Sequence, residues 1–462
     1  MNGDVMSNIV RAESLEAVLD VLSPEPLSSG SEWYVNLSPA RSGEQLAELR
    51  KHLEISQRRG AATVHLALVG PRGGGKTTEL RRLEGDLAGV FTPVHLELDP
   101  ALENDADYTD LLVWLVERVA AQLHARGVSL DRSTAEPVFE WFDKRTVVWG
   151  EGYKSEVKSE AEMSGGLDAN WLVARLKSML RIQASISGST DRRKEFRREL
   201  QNYTTDLVAR VNHFLDHARE RLRAQSKPDC LLIVQDNLDR LLPEPAKRLF
   251  FEHGQVLRGL KGFFIWTAPL GIQLAPYRLD SSTYKTFYMP IPAPRRKHGE
   301  FNEAALAGLQ NIIELRMDVA AVFDSPATAR QLCLASGGSL RDLLKLVGDT
   351  QLSALVDNKL KMDTVAADKA IKKLRLEFER ALTPGNHYYP LLAQIHLTKR
   401  EPEGEDIQAL KDRFAEMIAC GSVLQYNGEE TWFDVHPAIL PIASFQDALR
   451  TLRATRDRIQ SA

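Results

Sequence analysis

Two short stretches carry the residues whose types and spacing suit them to chemistry. The first, GPRGGGKTT, holds the pattern G-x-x-x-x-G-K-T at Gly70, Gly75, Lys76 and Thr77. Its glycines, Gly70, Gly73, Gly74 and Gly75, leave the turn's backbone N–H groups free to wrap a phosphate with no Cβ in the way. Lys76 adds a cation for the β- and γ-phosphates and Thr77 a hydroxyl for Mg²⁺, and the helix that starts there points its positive end at the anion. Arg72 and Thr78 complete the cradle. Such a pattern recurs by chance in a chain of this length only on the order of once in a hundred. The plain alternative is a surface glycine loop, but the apolar strand before this one and the helix after it are what an anion cradle requires. The second stretch, LLIVQDNLDRLLPE, follows about 160 residues later. Its apolar run Leu231 to Val234 delivers Asp236, a carboxylate suited to hold the same Mg²⁺ through water.

These groups need a scaffold that brings strand ends together. Val64 to Val69 reads as a central parallel strand buried on both faces. TPVHLELD, from Thr92 to Asp99, makes a second strand and the run before Asp236 a third. LKGFFIWTAPLGI gives a strand ending at Thr267, and TFYMPIPAP one ending near Pro290. Strands joined by helices predict an α/β fold, a parallel sheet covered on both faces. Ahead of the glycine loop, the extended segment Trp33 to Leu37 is a candidate base pocket, with ordinary core packing as the alternative.

Three regions follow from the pattern. Residues 1–294 form a core, interrupted at about 131–200 by a charge-rich insertion longer than a normal connection. That insertion carries Arg192, Arg193, Lys194, Arg197 and Arg198, read either as a solvated helix start or as a source of arginine for a phosphate or a neighbouring subunit's nucleotide. Residues 295–362 read as a helical lid, in which Gly337 and Gly338 end one helix and Ser339 caps the next. Residues 363–462 read as helices followed by a hairpin at Asn427 and Gly428, the order of a winged helix.

At 462 residues, 43% hydrophobic and 26% charged, the composition is ordinary for a globular chain. The net charge of -4 neither demands nor excludes nucleic acid. Cys230, Cys333 and Cys420 lie far apart in apolar contexts, as reduced core residues do, which fits a cytoplasmic protein. No apolar run approaches a membrane span, and the N-terminus lacks an export signal.

Taken together, these parts resemble the AAA+ and STAND class of P-loop ATPases, and within it the origin-recognition-like branch with a C-terminal winged helix. GPRGGGKT looks like the class's nucleotide loop, LLIVQDNLDRL like its acidic strand, FFIWT like the strand that presents a polar sensor at Thr267, and SGGSLRDLL like the lid motif whose arginine, here Arg341, contacts the γ-phosphate side of ATP. The resemblance implies ATP and Mg²⁺ as cofactors, held by Thr77 and Asp236. It also marks a departure. Active members usually carry an acid directly after the Mg²⁺ aspartate, where this chain has Asn237, which cannot accept a proton from the attacking water. Slow hydrolysis is therefore expected, with Asn237 able only to orient a water. Asp239 substitutes if the backbone turns; a straight strand end points it elsewhere.

Two functions fit. One is a nucleotide-dependent switch that engages a protein partner or further copies of itself. The other is a DNA-binding or DNA-loading ATPase that uses the winged helix. Neutralising phosphates needs a surplus of basic residues. The contact helix sets Lys411 and Arg413 against Asp412 and Glu416, and its hairpin carries Glu429, Glu430 and Asp434. This balance favours the protein partner.

Overall fold

The computed structural model describes residues 11–41, 43–98, 107–128, 130, 136–138, 140–141, 203–273, 279, 283–382, 387–403, 406–427 and 430–461. The insertion, with the basic run Arg192 to Arg198, lies almost wholly outside the described residues.

Five strands, β1 Thr63–Val69, β2 Thr92–Glu97, β3 Leu231–Asp236, β4 Gly262–Ala268 and β5 Lys285–Tyr288, form one parallel sheet in the order β2-β3-β4-β1-β5. Their near-continuous apolar runs make sense because both faces are covered. On one face Leu66, Leu68, Leu232, Val234 and Ile265 meet Leu49 and Leu53 of α1 (Gln45–Arg58) and Leu80 and Leu83 of α2 (Lys76–Leu87). Alternate residues, among them Ala67, Val69, Ile233, Phe264 and Trp266, face α3 (Tyr108–Ala125) and α4 (Thr204–Ala224). The chain leaves β1 for the far edge of the sheet, so a crevice opens at the carboxyl ends of β1, β4 and β3, where ligands of open α/β sheets bind.

Beyond the sheet, α5 (Glu303–Glu314), α6 (Pro326–Ala335), α7 (Leu340–Val356) and α8 (Thr364–Ala381) share one apolar cluster. Helix α8, which the sequence grouped with the last block, presents the small face Ala366, Ala367 and Ala370 and packs on α7. The segment ahead of α1 packs on these helices. Ala12, Leu15, Val18 and Val21 join the lid cluster, and Ala12 pairs with Met317.

The remainder consists of α9 (Tyr388–Thr398), α10 (Ile407–Ala419), the antiparallel hairpin of β6 (Val423–Asn427) and β7 (Thr431–Val435), and α11 (Ala443–Ser461). This block is docked on the sheet domain. Phe414, Met417 and Ile418 continue the apolar cluster through Leu270 and Ile272. Helix α10 comes so near the turn after β4 that a Cβ on Gly271 would lie 2.9 Å from that of Ala415. Among the described residues no helix is long and apolar enough to cross a membrane.

Candidate nucleotide site

The glycine loop joins β1 to α2 at the mouth of the crevice. Gly73 and Gly75 take φ of 78° and 87°, the left-handed region that a glycine enters at little cost, and Gly75 stands at the N-cap of α2. Gly70 is required for another reason: a Cβ there would meet the Met289 carbonyl at 2.3 Å. Lys76 folds back under the loop, its Nζ donating to the carbonyls of Gly70 at 2.9 Å and Pro71 at 2.8 Å. Arg41, buried and just ahead of α1, braces the loop from the other side. It donates to the Gly74 carbonyl and to Glu79 of α2, each at 2.6 Å.

The acidic strand end reaches the same place. Asp236 closes β3 close enough to the Thr77 hydroxyl for that group to lower its pKa, which brings the two expected Mg²⁺ ligands near one another. Its Oδ1 accepts the Asn237 N–H at 2.7 Å, while the buried Oδ2 has no hydrogen-bond partner. Burial, and then the charge of Asp239, push the Asp236 pKa up against the effect of Thr77. An orphaned carboxylate oxygen beside a hydroxyl, raised in pKa by burial and a second acid, fits a hard oxygen-seeking cation. Behind it stands His95 of β2. Burial works against charging this ring, but Glu84 at 2.6 Å, with Asp236 and Glu97, lifts its pKa above the ordinary value.

Asn237 decides where the next acid goes. It sits at φ 64°, ψ 7°, a left-handed conformation that asparagine tolerates better than most side chains, and turns the chain into a short 3₁₀ segment, Leu238–Arg240. The expectation that a straight strand end would point Asp239 elsewhere is therefore corrected: its Oδ2 lies 2.8 Å from Lys76 Nζ. Arg72 holds this turn by donating to the carbonyls of Asp239 and Arg240. Thr267, buried at the end of β4, accepts the Leu238 N–H at 3.0 Å and donates to the Gln235 carbonyl at 3.3 Å. The expected sensor thus spends its hydroxyl on placing the turn.

The lid closes over this end of the sheet. Ser339 caps α7 by accepting from the Asp342 N–H, and the Leu340 N–H donates to the Gly73 carbonyl at 2.9 Å. Gly338, at φ 91°, lies against the Pro292 carbonyl, where a Cβ would approach to 1.9 Å. These contacts set Arg341, exposed, on the rim of a cavity of about 350 Å³. Arg72, Gly73, Gly75, Lys76, Thr77 and Asn237 line its polar end. Trp33, Val35, Leu37, Ile312 and Leu344 line its apolar wall, so the segment read as a candidate base pocket borders the same cavity as the glycine loop. Thr78 also borders the cavity, its hydroxyl accepting from the Leu27 N–H to fasten residues 23–27 across the opening. Arg41, His95 and Arg316 are not legible in the sequence, because nothing local marks an arginine or histidine that tertiary packing brings to a loop.

The core has a P-loop NTPase fold. No protein-family model and no curated protein matches the chain. Solved structures do. A Walker-type ATPase of Pyrococcus abyssi is 10% identical with a TM-score of 0.43, covering 93% of this chain and 99% of that one. The ORC2 protein of Aeropyrum pernix in its ADP form is 13% identical with a TM-score of 0.37, covering 96% and 97%. The RuvB Holliday junction branch migration motor of Thermotoga maritima is 13% identical with a TM-score of 0.36, covering 89% and 95%. The chemistry therefore rests on this chain's own geometry.

Proposed function

We propose that the chain binds ATP·Mg²⁺ and works as a nucleotide-dependent conformational switch that engages a protein partner or another copy of itself, with slow hydrolysis. Lys76 and the loop N–H groups would hold the phosphates, Thr77 and Asp236 the Mg²⁺, and Arg341 the γ-phosphate side from the lid. The metal would supply charge neutralisation on the phosphates. We divide the chain into a core to residue 294, a lid that includes α8, and a C-terminal winged helix from about residue 382.

One observation carries the switch reading. The turn that holds Asp239, together with Arg72, is the wall between two cavities. On one side is the nucleotide pocket, and on the other a crevice of about 290 Å³ bordered by Lys411, Asp412, Ala415 and Ile418 of α10. Phosphates that draw Lys76 away from Asp239 disturb the wall that the nucleotide pocket shares with the crevice beside α10, which gives the nucleotide differential contacts with two states. Hydrogen exchange of α10 in ATP and in ADP tests this. Faster exchange in one nucleotide supports coupling, and equal exchange in both refutes it. Duplex binding through α10 would first require this helix to leave the core, so the protein-partner reading is preferred. Salt-dependent binding of a duplex, lost on reversing Lys411 and Arg413, would overturn that preference.

A further inference from the structure

Arg316 follows the last turn of α5 and stands at the apolar wall of the pocket, away from the phosphate cradle. Its guanidinium lies 5.5 Å from the centroid of the Trp33 ring. Nη1 donates to the carbonyls of Ile312 at 3.0 Å and Trp33 at 3.4 Å. The residue is only 4% exposed, and its Nε has no hydrogen-bond partner. No carboxylate pairs with it among the described residues, and burial lowers its pKa to about 10, so it remains charged at neutral pH.

Arginine at a helix C-terminus commonly serves the last carbonyls and the helix dipole, and Nη1 does that here. That role does not account for the rest of the group. A buried cation with unused donors is costly unless something supplies acceptors, whereas an arginine serving only as a cap could reach water. Arg41, equally buried in the same pocket, has Glu79; Arg316 has only carbonyls.

We propose that Arg316 is a ligand for the base of a bound purine nucleotide, donating from its unused edge to acceptor atoms of the ring while Trp33 supports the guanidinium from behind. This rests on the nucleotide reading of the pocket. Guanidinium donates only, so it takes ring nitrogens or a carbonyl oxygen and never an amino group. Its place among Trp33, Val35, Ile312 and Leu344 puts it at the base, since the phosphates are held at the opposite end by Gly73, Gly75 and Lys76. A 6-oxopurine offers two neighbouring acceptors and adenine a single ring nitrogen beside its amino group, so the preference between GTP and ATP reports which edge faces Arg316.

Calorimetric titration of the full chain with ATP, GTP and inorganic tripolyphosphate, each with Mg²⁺, separates the possibilities. Arg316→Met should lose about ten- to a hundredfold in affinity for the preferred purine nucleotide and leave tripolyphosphate binding unchanged. Arg316→Lys, which keeps the charge but not the fork, should lose nearly as much. The nucleotide-free melting temperature of both variants should stay near wild type, while the shift on adding nucleotide shrinks. Equal loss for nucleotide and tripolyphosphate, or no loss for either, overturns the proposal. Failure of the wild type to bind any of the three instead overturns the nucleotide reading itself.

Discussion

Lys76 Nζ and Asp239 Oδ2 form an ion pair at 2.8 Å, with side chains only 5% and 9% exposed. An incoming nucleotide must therefore compete with a carboxylate for the lysine that reads its β- and γ-phosphates. Asp239→Asn removes the competitor and should tighten nucleotide binding several-fold. Once phosphates hold Lys76, the freed carboxylate is an acid beside the loop able to accept a proton from water, so the same variant should lower turnover by roughly 10² or more. Asn237→Glu, which the sequence alone expects to raise turnover, should be nearly silent or mildly destabilising, because glutamate at φ 64° pays roughly 1–2 kcal/mol for the left-handed backbone. Titration and steady-state phosphate release check both. A large gain in Asn237→Glu, with Asp239→Asn unchanged, would restore the asparagine as the site of the missing acid.

Lys76→Ala should abolish ATP·Mg²⁺ binding, since the loop loses its internal cation. It should also strand Asp239 in a nearly buried place, destabilising the nucleotide-free protein by up to about 3–5 kcal/mol. Combining it with Asp239→Asn should restore much of that stability and none of the binding. Denaturant unfolding and calorimetry on the single and double variants test the two effects separately; additive losses in stability would show that the pair is not coupled.

Arg341 should distinguish triphosphate from diphosphate. A lid arginine on the γ-phosphate side would let ATP draw lid and core together, but the Leu340 N–H donates directly to the Gly73 carbonyl, so lid and loop are already joined. The readout should then be local. Arg341→Ala should weaken ATP by about tenfold or more and ADP little, because a guanidinium bridges phosphate oxygens through charge-assisted hydrogen bonds. Equal losses for both nucleotides would remove Arg341 from the γ-phosphate side.

How far the site could be read from the sequence depended on the range of the interactions that make it. Gly70 to Thr77, Asp236 and the cap at Ser339 were legible because each is specified by neighbours in the chain. The five strands were legible because strands buried on both faces are apolar throughout. The packing of α8 on α7 was not, since its face carries alanines whose partner only packing reveals. The place of Asp239 hung on one backbone conformation. Asparagine hints at the left-handed turn, but the Thr267 hydroxyl and the grip of Arg72, from β4 and from the loop, fix it.

His65, the third residue of β1, should make the fold sensitive to acid. Its ring is stacked on Phe264 at 5.0 Å, and the Trp266 indole N–H donates to its Nδ1 at 3.2 Å. Nδ1 must then be the acceptor, and Nε2 carries the proton that faces the Leu260 carbonyl at 3.1 Å. Protonating the ring would set a second N–H against the indole N–H, and burial already disfavours the charge, so its pKa falls from 6.5 to about 4. Between those two values the unfolded chain takes up a proton that the folded chain refuses. The contribution of His65 is therefore intact above about pH 6.5 and is lost as pH falls toward 4, amounting to about 3 kcal/mol over the whole interval. His95 has the opposite shift, so a comparison within one pair of proteins is needed to isolate His65. His65→Leu should start less stable than wild type at pH 7.5, where the two hydrogen bonds are lost, and the gap should narrow as the pH is lowered to about 4.5. Chemical denaturation of both proteins across this range measures it. A gap that stays constant would mean that the ring does not change its protonation between the folded and unfolded states.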